Sequence, residues 1–193
     1  MPTASAAIPV SKVVADLDAA ESQASEIVAS ISDQQATWRP AARSWTIVQC
    51  LTHLARINRI YAAAMHETVA NNQIFILGRE NSSISPGWFG AWFIRSMEPP
   101  VRTRMKSPRK AVPPFETRDR REALAEFIES HGPVRGLIDA SSHLDLNAVR
   151  FKNPFIGLIR FTIGTGLLVV NAHDRRHLWQ AEQIKAAPGF PKQ

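Results

Sequence analysis

The chain has 193 residues, of which 45% are hydrophobic and 21% charged, a balance that fits one globular domain with a real core over residues 1–193 and excludes a disordered or fibrous chain. Its single cysteine, Cys50, excludes an internal disulfide framework, and Met1 to Lys12 lack the basic start and apolar run of a signal peptide, so a cytoplasmic protein is expected. The longest apolar stretch, Pro154 to Val170, is interrupted by Arg160, Thr162, Gly164, Thr165 and Gly166 and falls short of the roughly 20 residues that a membrane span needs, so no membrane partner is expected.

Four long helical patterns emerge along the chain, with no convincing strand alternation. In the first, from about Val10 to Ser32, Val13, Val14, Leu17, Ala20, Ala24, Ile27, Val28 and Ile31 share one stripe. A turn through Trp38, Pro40 and Ala42 follows. Ser44 is a plausible N-cap of the second helix, with Thr46 the alternative, and that helix runs to about Asn71. Its apolar face holds Ile47, Cys50, Leu51, Leu54, Ile57, Ile60, Tyr61 and Ala64, and His53 lies within it.

From Ile74 to Pro114 the sequence is irregular. Pro86 to Ile94 reads as a short aromatic helix lying over one end of the fold, a lid on the core rather than a cofactor-stacking box. The net charge of +6 is concentrated just beyond: Arg95, Arg102, Arg104, Lys106, Arg109 and Lys110 stand against Glu98 alone. Pro99, Pro100, Pro108, Pro113 and Pro114 punctuate that stretch. Proline withholds amide donors and fixes φ, so this is a solvated connection rather than a recognition helix, and no nucleic-acid partner is expected. Attraction of an anionic small substrate toward a nearby pocket stays open.

The third helix, from about Thr117 to Ala140, turns Ala123, Leu124, Phe127, Ile128, Val134, Leu137 and Ile138 inward, and Pro133 should kink or divide it. A polar turn at Ser141 to Asn147 and the stretch Phe151 to Gly157 lead into the last helix, from about Leu158 to Ala186. There Gly166, Val170, His173, His177, Ala181 and Ile184 repeat at three- and four-residue steps, the seam of a helix packed in a bundle. Pro188-Gly189-Phe190-Pro191 ends it.

His173 and His177, four residues apart on one helical face, can close on a single divalent cation. His53 from the second helix would complete a facial three-nitrogen set with open positions for water or substrate, as in catalytic rather than structural zinc sites. Taken singly, each is more often a satisfied core histidine or an edge residue than a ligand; burying two or three in one core costs solvation unless a shared partner satisfies them. At about 100° per residue, His66 stands roughly 220° around the helix from His53 and cannot join it, and is expected to be exposed. His131, before Gly132-Pro133, and His143, in a polar turn, suit solvent or a helix end. Cys50 is read as a small buried hydrophobe, and Asp174 and Glu182 lie off the histidine face. Gln180 lies closer to that face, either a hydrogen-bond partner for a ring nitrogen or a polar helix position.

Two segments resemble the DinB-like superfamily. Ser44-Trp45-Thr46-Ile47-Val48-Gln49-Cys50-Leu51-Thr52-His53-Leu54-Ala55 is similar to its W-S-x-x-x-x-L-x-H-L opening of the second helix, with Thr46 for the usual serine, and His173 to Gln180 is similar to its H-x-x-x-H-x-x-Q segment. The resemblance extends from about Val10 to Pro191. It implies an all-α, up-down-down-up four-helix bundle with a long irregular insertion between helices 2 and 3, and a divalent metal, nickel or zinc, bound by His53, His173 and His177. It also implies membership among enzymes whose chemistry varies, including thiol-dependent transferases that use bacillithiol, mycothiol or glutathione, isomerases and hydrolases, and homodimers in which the Trp88 to Ile94 segment could take part.

The residues and the resemblance together leave two functions open, beside the possibility that no metal binds and the histidines hydrogen-bond one another. One is a metal-dependent S-transferase or hydrolase acting on a small molecule, with or without a low-molecular-weight thiol. The other is a non-catalytic, metal-stabilised bundle serving as a small-molecule binding or stress-response module. A fourth protein ligand, from Cys50 or a carboxylate, would favour the second.

Overall fold

The computed structural model describes residues 7–71, 83–101, 107–113, 119–142 and 144–192. The readings of Arg102, Arg104, Lys106, Pro114, Thr117 and His143 fall outside the described residues. Four long helices dominate: α1 (Val10–Ala29), α3 (Ile47–Asn71), α5 (Arg120–Ala140) and α6 (Ile163–Lys185). Shorter elements are β1 (Ile8–Pro9), α2 (Asp33–Thr37), β2 (Ser83–Ile84), α4 (Gly87–Met97), β3 (Arg150–Lys152) and β4 (Arg160–Thr162), with a 3-10 turn at Arg109–Ala111. α3 packs on α5 and α6, and α1 packs on the same two helices.

Local chemistry explains where the helices start, and in places moves them from their expected limits. α1 ends at Ala29, because Ser32 caps a helix of its own: its hydroxyl accepts from Gln35 N while Gln35 Oε1 accepts from Ser32 N, a reciprocal box that opens α2 where only a turn was expected. Thr46, not Ser44, caps α3. Its Oγ1 accepts from Gln49 N and its own N–H donates to Gln49 Oε1, both at 3.1 Å. Asp119 Oδ1 accepts from Arg121 N and Glu122 N to start α5, which runs through Pro133 undivided.

The last helix begins five residues later than its apolar run suggests. Residues 150–152 and 160–162 form an antiparallel hairpin, Phe151 opposite Phe161, and Thr162 then caps α6 by accepting from Thr165 N. A second small antiparallel pair joins Ile8 to Ile84, so the expectation of no strands is corrected in these two places. α4 is the expected aromatic helix: Phe89 and Phe93 pack against Phe161, whereas Trp88 and Trp92 remain 80% and 60% exposed.

Among the described residues, two apolar clusters fill the interior. Val13 and Leu17 of α1, Ile57 to Val69 of α3, Val134 and Leu137 of α5, and Ile163 to Ala172 of α6 contribute to one. Ala20 to Val28 of α1, Ile47 to Ala55 of α3, Ala123 and Phe127 of α5, and Leu178 to Ile184 of α6 contribute to the other. At the changeover on each long helix sit polar side chains: Glu21, His53 and Asn58, Ser130 and His131, and His173 to His177. No helix among the described residues is long and apolar enough to cross a membrane.

Candidate metal centre

His53 comes from the second turn of α3, and His173 and His177 from successive turns of α6, where these two helices pack. The structure brings all three together. Their ring centroids stand 4.6 to 5.0 Å apart, and one nitrogen from each lies within 4.8 Å of the others. His53 and His177 are buried and His173 is partly so. Among the described residues, no cysteine or carboxylate joins the group.

Two of the rings are held in one orientation. His53 Nδ1 donates to the Ala111 carbonyl at 2.7 Å, and His177 Nδ1 donates to Gln180 Oε1 at 2.8 Å. In a neutral imidazole this leaves Nε2 as the lone-pair nitrogen of each. Gln180 therefore partners a ring nitrogen, the first of the two roles open to it. His173 Nδ1 is buried without a partner, and its Nε2 lies 3.3 Å from His53 Nε2. Trp45 stacks on His177 at 5.5 Å and lies 4.7 Å from His53, covering one side of the pair.

Burial keeps these imidazoles neutral. It lowers His53 to about 4 against a raising contribution from the Ala111 hydrogen bond, and lowers His177 to about 3, with the His53 and Arg176 charges adding to the effect. His173 is pushed well below its ordinary value, again by burial first and then by the His177, His53 and Arg176 charges. Neutral imidazole is the form that ligates a metal. Two nitrogens on one tetrahedral zinc, at bonds of about 2.0–2.1 Å, stand about 3.3 Å apart, which matches the His53–His173 separation. Donor type, protonation and the His53–His173 spacing fit a divalent cation, with the three candidate nitrogens within 4.8 Å of one another.

The cluster opens on a cavity of about 810 Å³. Its walls include Trp45, Tyr61, Phe93, Phe155 and Trp179, and Asn153 donates to the Tyr61 hydroxyl at 2.8 Å from the hairpin side. Burial pushes the Tyr61 hydroxyl up to about 12, keeping it protonated. Cys50, fully buried with its thiol pushed up to about 12, is the inert hydrophobe expected.

Sequence reasoning missed a second histidine site. His131, expected at solvent or a helix end, is wholly buried: Nδ1 lies 2.8 Å from Glu21 Oε1 and Nε2 3.1 Å from Asp174 Oδ2. Asp174 also accepts from Asn58 Nδ2, and Arg135 bonds Glu21 and Asp18 from the outer side. Burial alone lowers the His131 imidazole, but the hydrogen bonds and charges of Asp174 and Glu21 outweigh it and raise the pKa. The signal was available, since His131 falls four residues after Phe127 and three before Val134 on the inward stripe. His66 is half-buried rather than exposed, with Nε2 2.8 Å from the Pro133 carbonyl and no part in the cluster.

A family model described as the DinB superfamily matches residues 16–181. No curated protein and no solved structure matches the chain.

Proposed function

This chain belongs to the DinB superfamily, and on that footing we propose that it is a metal-dependent enzyme, an S-transferase or hydrolase, whose divalent zinc or nickel ion is held by His53, His173 and His177. The observation that carries the reading is the convergence of three neutral imidazoles at the floor of a cavity large enough for a small molecule. We further propose a single domain built as an up-down-down-up four-helix bundle. The order in which each helix meets the two apolar clusters supports it: α1 and α6 pass from the first to the second, α3 and α5 from the second to the first.

When bound, such an ion lowers the pKa of a coordinated water to about 7 or stabilises a thiolate, giving a nucleophile at neutral pH. The chain's own residues do the rest. Ala111 and Gln180 orient the His53 and His177 rings so that each keeps a lone pair on Nε2. Trp45 shields one side from water. The rings, like Trp45 itself, line the aromatic cavity, where substrate would lie. With no fourth protein ligand in the group among the described residues, coordination positions remain for water, thiol or substrate, which favours chemistry over a closed structural site.

The test is metal quantification on protein purified without a histidine tag, paired with a transferase screen using bacillithiol, mycothiol and glutathione as thiol donors. Stoichiometric divalent metal is expected, lost in His53→Ala and His177→Ala. Tight metal binding that His177→Ala leaves unchanged would overturn the ligand assignment.

A further inference from the structure

The cavity wall holds a buried hydroxyl whose proton has no partner. Tyr61 of α3 and Asn153 at the end of β3 both line that wall, 4% and 2% exposed. The turn at the hairpin tip fixes the direction of the bond between them. Asn153 Oδ1 accepts from Phe155 N and Ile156 N, both at 2.9 Å, so the other end of the amide is Nδ2, which donates and cannot accept. In the 2.8 Å contact with Tyr61, Asn153 is therefore the donor and the phenol oxygen the acceptor. The Tyr61 proton is left over, and no acceptor for it stands among the described residues. The Phe151 and Phe155 rings, with centroids 6.1 and 5.7 Å from that of Tyr61, hold the phenol in place.

A buried donor without an acceptor is costly, so a ligand that supplies the acceptor is favoured over one that only fills the space. A carbonyl oxygen suits such a donor better than a hydroxyl, which brings a proton needing a partner of its own. Tyr61 follows His53 by eight residues on α3, about 12 Å along the helix axis, so it meets the end of a molecule remote from the histidines rather than the reacting atoms. Ile57, Phe93, Val169 and Val170 in the same wall suit an apolar body. We propose that the cavity takes a small molecule with an apolar body and a carbonyl oxygen at the end remote from the histidines. Tyr61 is the specificity-determining residue that donates to this oxygen, and Asn153 is the positioning residue that keeps the Tyr61 proton turned toward it. The inference deepens the metal-enzyme reading and rests on it for the cavity's role as a substrate site, but the selectivity belongs to the protein alone and is measurable without the ion.

The probes are 4-phenyl-2-butanone and 2-methyl-4-phenyl-1-butene, in which a methylene group replaces the carbonyl oxygen. Binding to metal-stripped and zinc-loaded full-length protein is followed by calorimetry and by the fluorescence of the tryptophans, two of which line the cavity. In metal-stripped protein, Tyr61→Phe is expected to weaken the ketone about tenfold, the effect of one neutral hydrogen bond, and to leave the alkene unchanged. In Asn153→Asp one carboxylate oxygen can still accept from Phe155 N and Ile156 N, while the other accepts the Tyr61 proton and withdraws it from the cavity. The ketone should then weaken about tenfold although the hydroxyl is still present, whereas a merely structural role for Asn153 would weaken both probes alike. No binding of the ketone, equal losses for ketone and alkene, unchanged ketone affinity in either variant, or an effect confined to zinc-loaded protein each overturns the assignment. Should one variant fail to fold, the ratio of ketone to alkene affinity in the other decides. Failure of the metal reading shows separately as protein without stoichiometric metal, whatever the probes do.

Discussion

At the scale of single residues, the second nitrogen of each imidazole matters as much as the first. The Gln180 side chain holds His177 by Nδ1, so removing it leaves the ring free to turn its lone pair away from the shared point. Gln180→Leu is expected to weaken zinc binding at least about tenfold, as loss of such partners generally does, measured by competition with a chromophoric chelator. Unchanged affinity would show that packing against Trp45 alone orients the ring. His131 is a separate case, an imidazole clamped between two carboxylates away from the cavity. His131→Ala leaves Asp174 buried without its counterion and should cost about 3–5 kcal/mol in denaturant unfolding. The pH dependence follows from the raised pKa: the stabilisation from His131 is fully present below its unfolded value of about 6.5 and is lost as pH rises through the higher folded value. The stability gap between the parent protein and His131→Gln should therefore narrow from pH 6 upward, and a gap that widened would refute the ion-pair account. The two sites were unequally legible. His173 and His177 announce themselves by their spacing and His53 by its place on an apolar face, whereas Gly132-Pro133 after His131 is a helix-end signal that the continuing α5 overrides.

At the scale of elements, the helices that carry the site depend on their first turns and on close approach. Thr46 and Gln49, seven and four residues ahead of His53, satisfy each other's backbone amides just after Trp45. Thr46→Ala is expected to cost about 1 kcal/mol in thermal or denaturant unfolding, and a loss no greater than that of an exposed alanine substitution would show that the box is incidental. Gly166 marks the close contact of α6 with α3 and β3: a Cβ there would meet Met65 Sδ at 2.6 Å and the Phe151 ring at 2.7 Å. Gly166→Ala must displace the Met65 and Phe151 side chains or the elements that carry them and should cost about 1–3 kcal/mol, read from the unfolding midpoint. The four long helices were legible because their apolar stripes hold period over five or more turns. Their ends were less so. The sequence puts the start of α6 near Leu158, because Ile156 to Phe161 is as apolar as the helix that follows and periodicity cannot separate a short buried strand from a helix turn. The capping box at Ser32 was readable as Ser-x-x-Gln, but it opens only five helical residues, too few to show a stripe.

At the scale of the molecule, how far the fold depends on a metal would separate the two functions that the sequence leaves open. A site that exists to hold the fold together is one whose loss unfolds the chain, as in small domains where binding free energy is folding free energy. Here the histidines lie at the junction of two extensive apolar clusters, each drawing residues from all four long helices. The Glu21–His131–Asp174–Asn58 network also ties those helices together without using the cluster. Burial on that scale does not need an ion to complete it. Metal-stripped protein is therefore expected to stay folded and to unfold cooperatively, with near-UV circular dichroism close to that of the loaded form. Added zinc should raise stability only by mass action, about 2.7 kcal/mol at a free concentration one hundred times the Kd, and His173→Ala should abolish that increment while leaving the metal-free midpoint nearly unchanged. A chain that a chelator unfolds would move the function to the non-catalytic, metal-stabilised alternative. A chain that folds equally well without its ion keeps the three imidazoles as a preformed site, and a site maintained independently of the fold's own needs is available for chemistry in the cavity it faces.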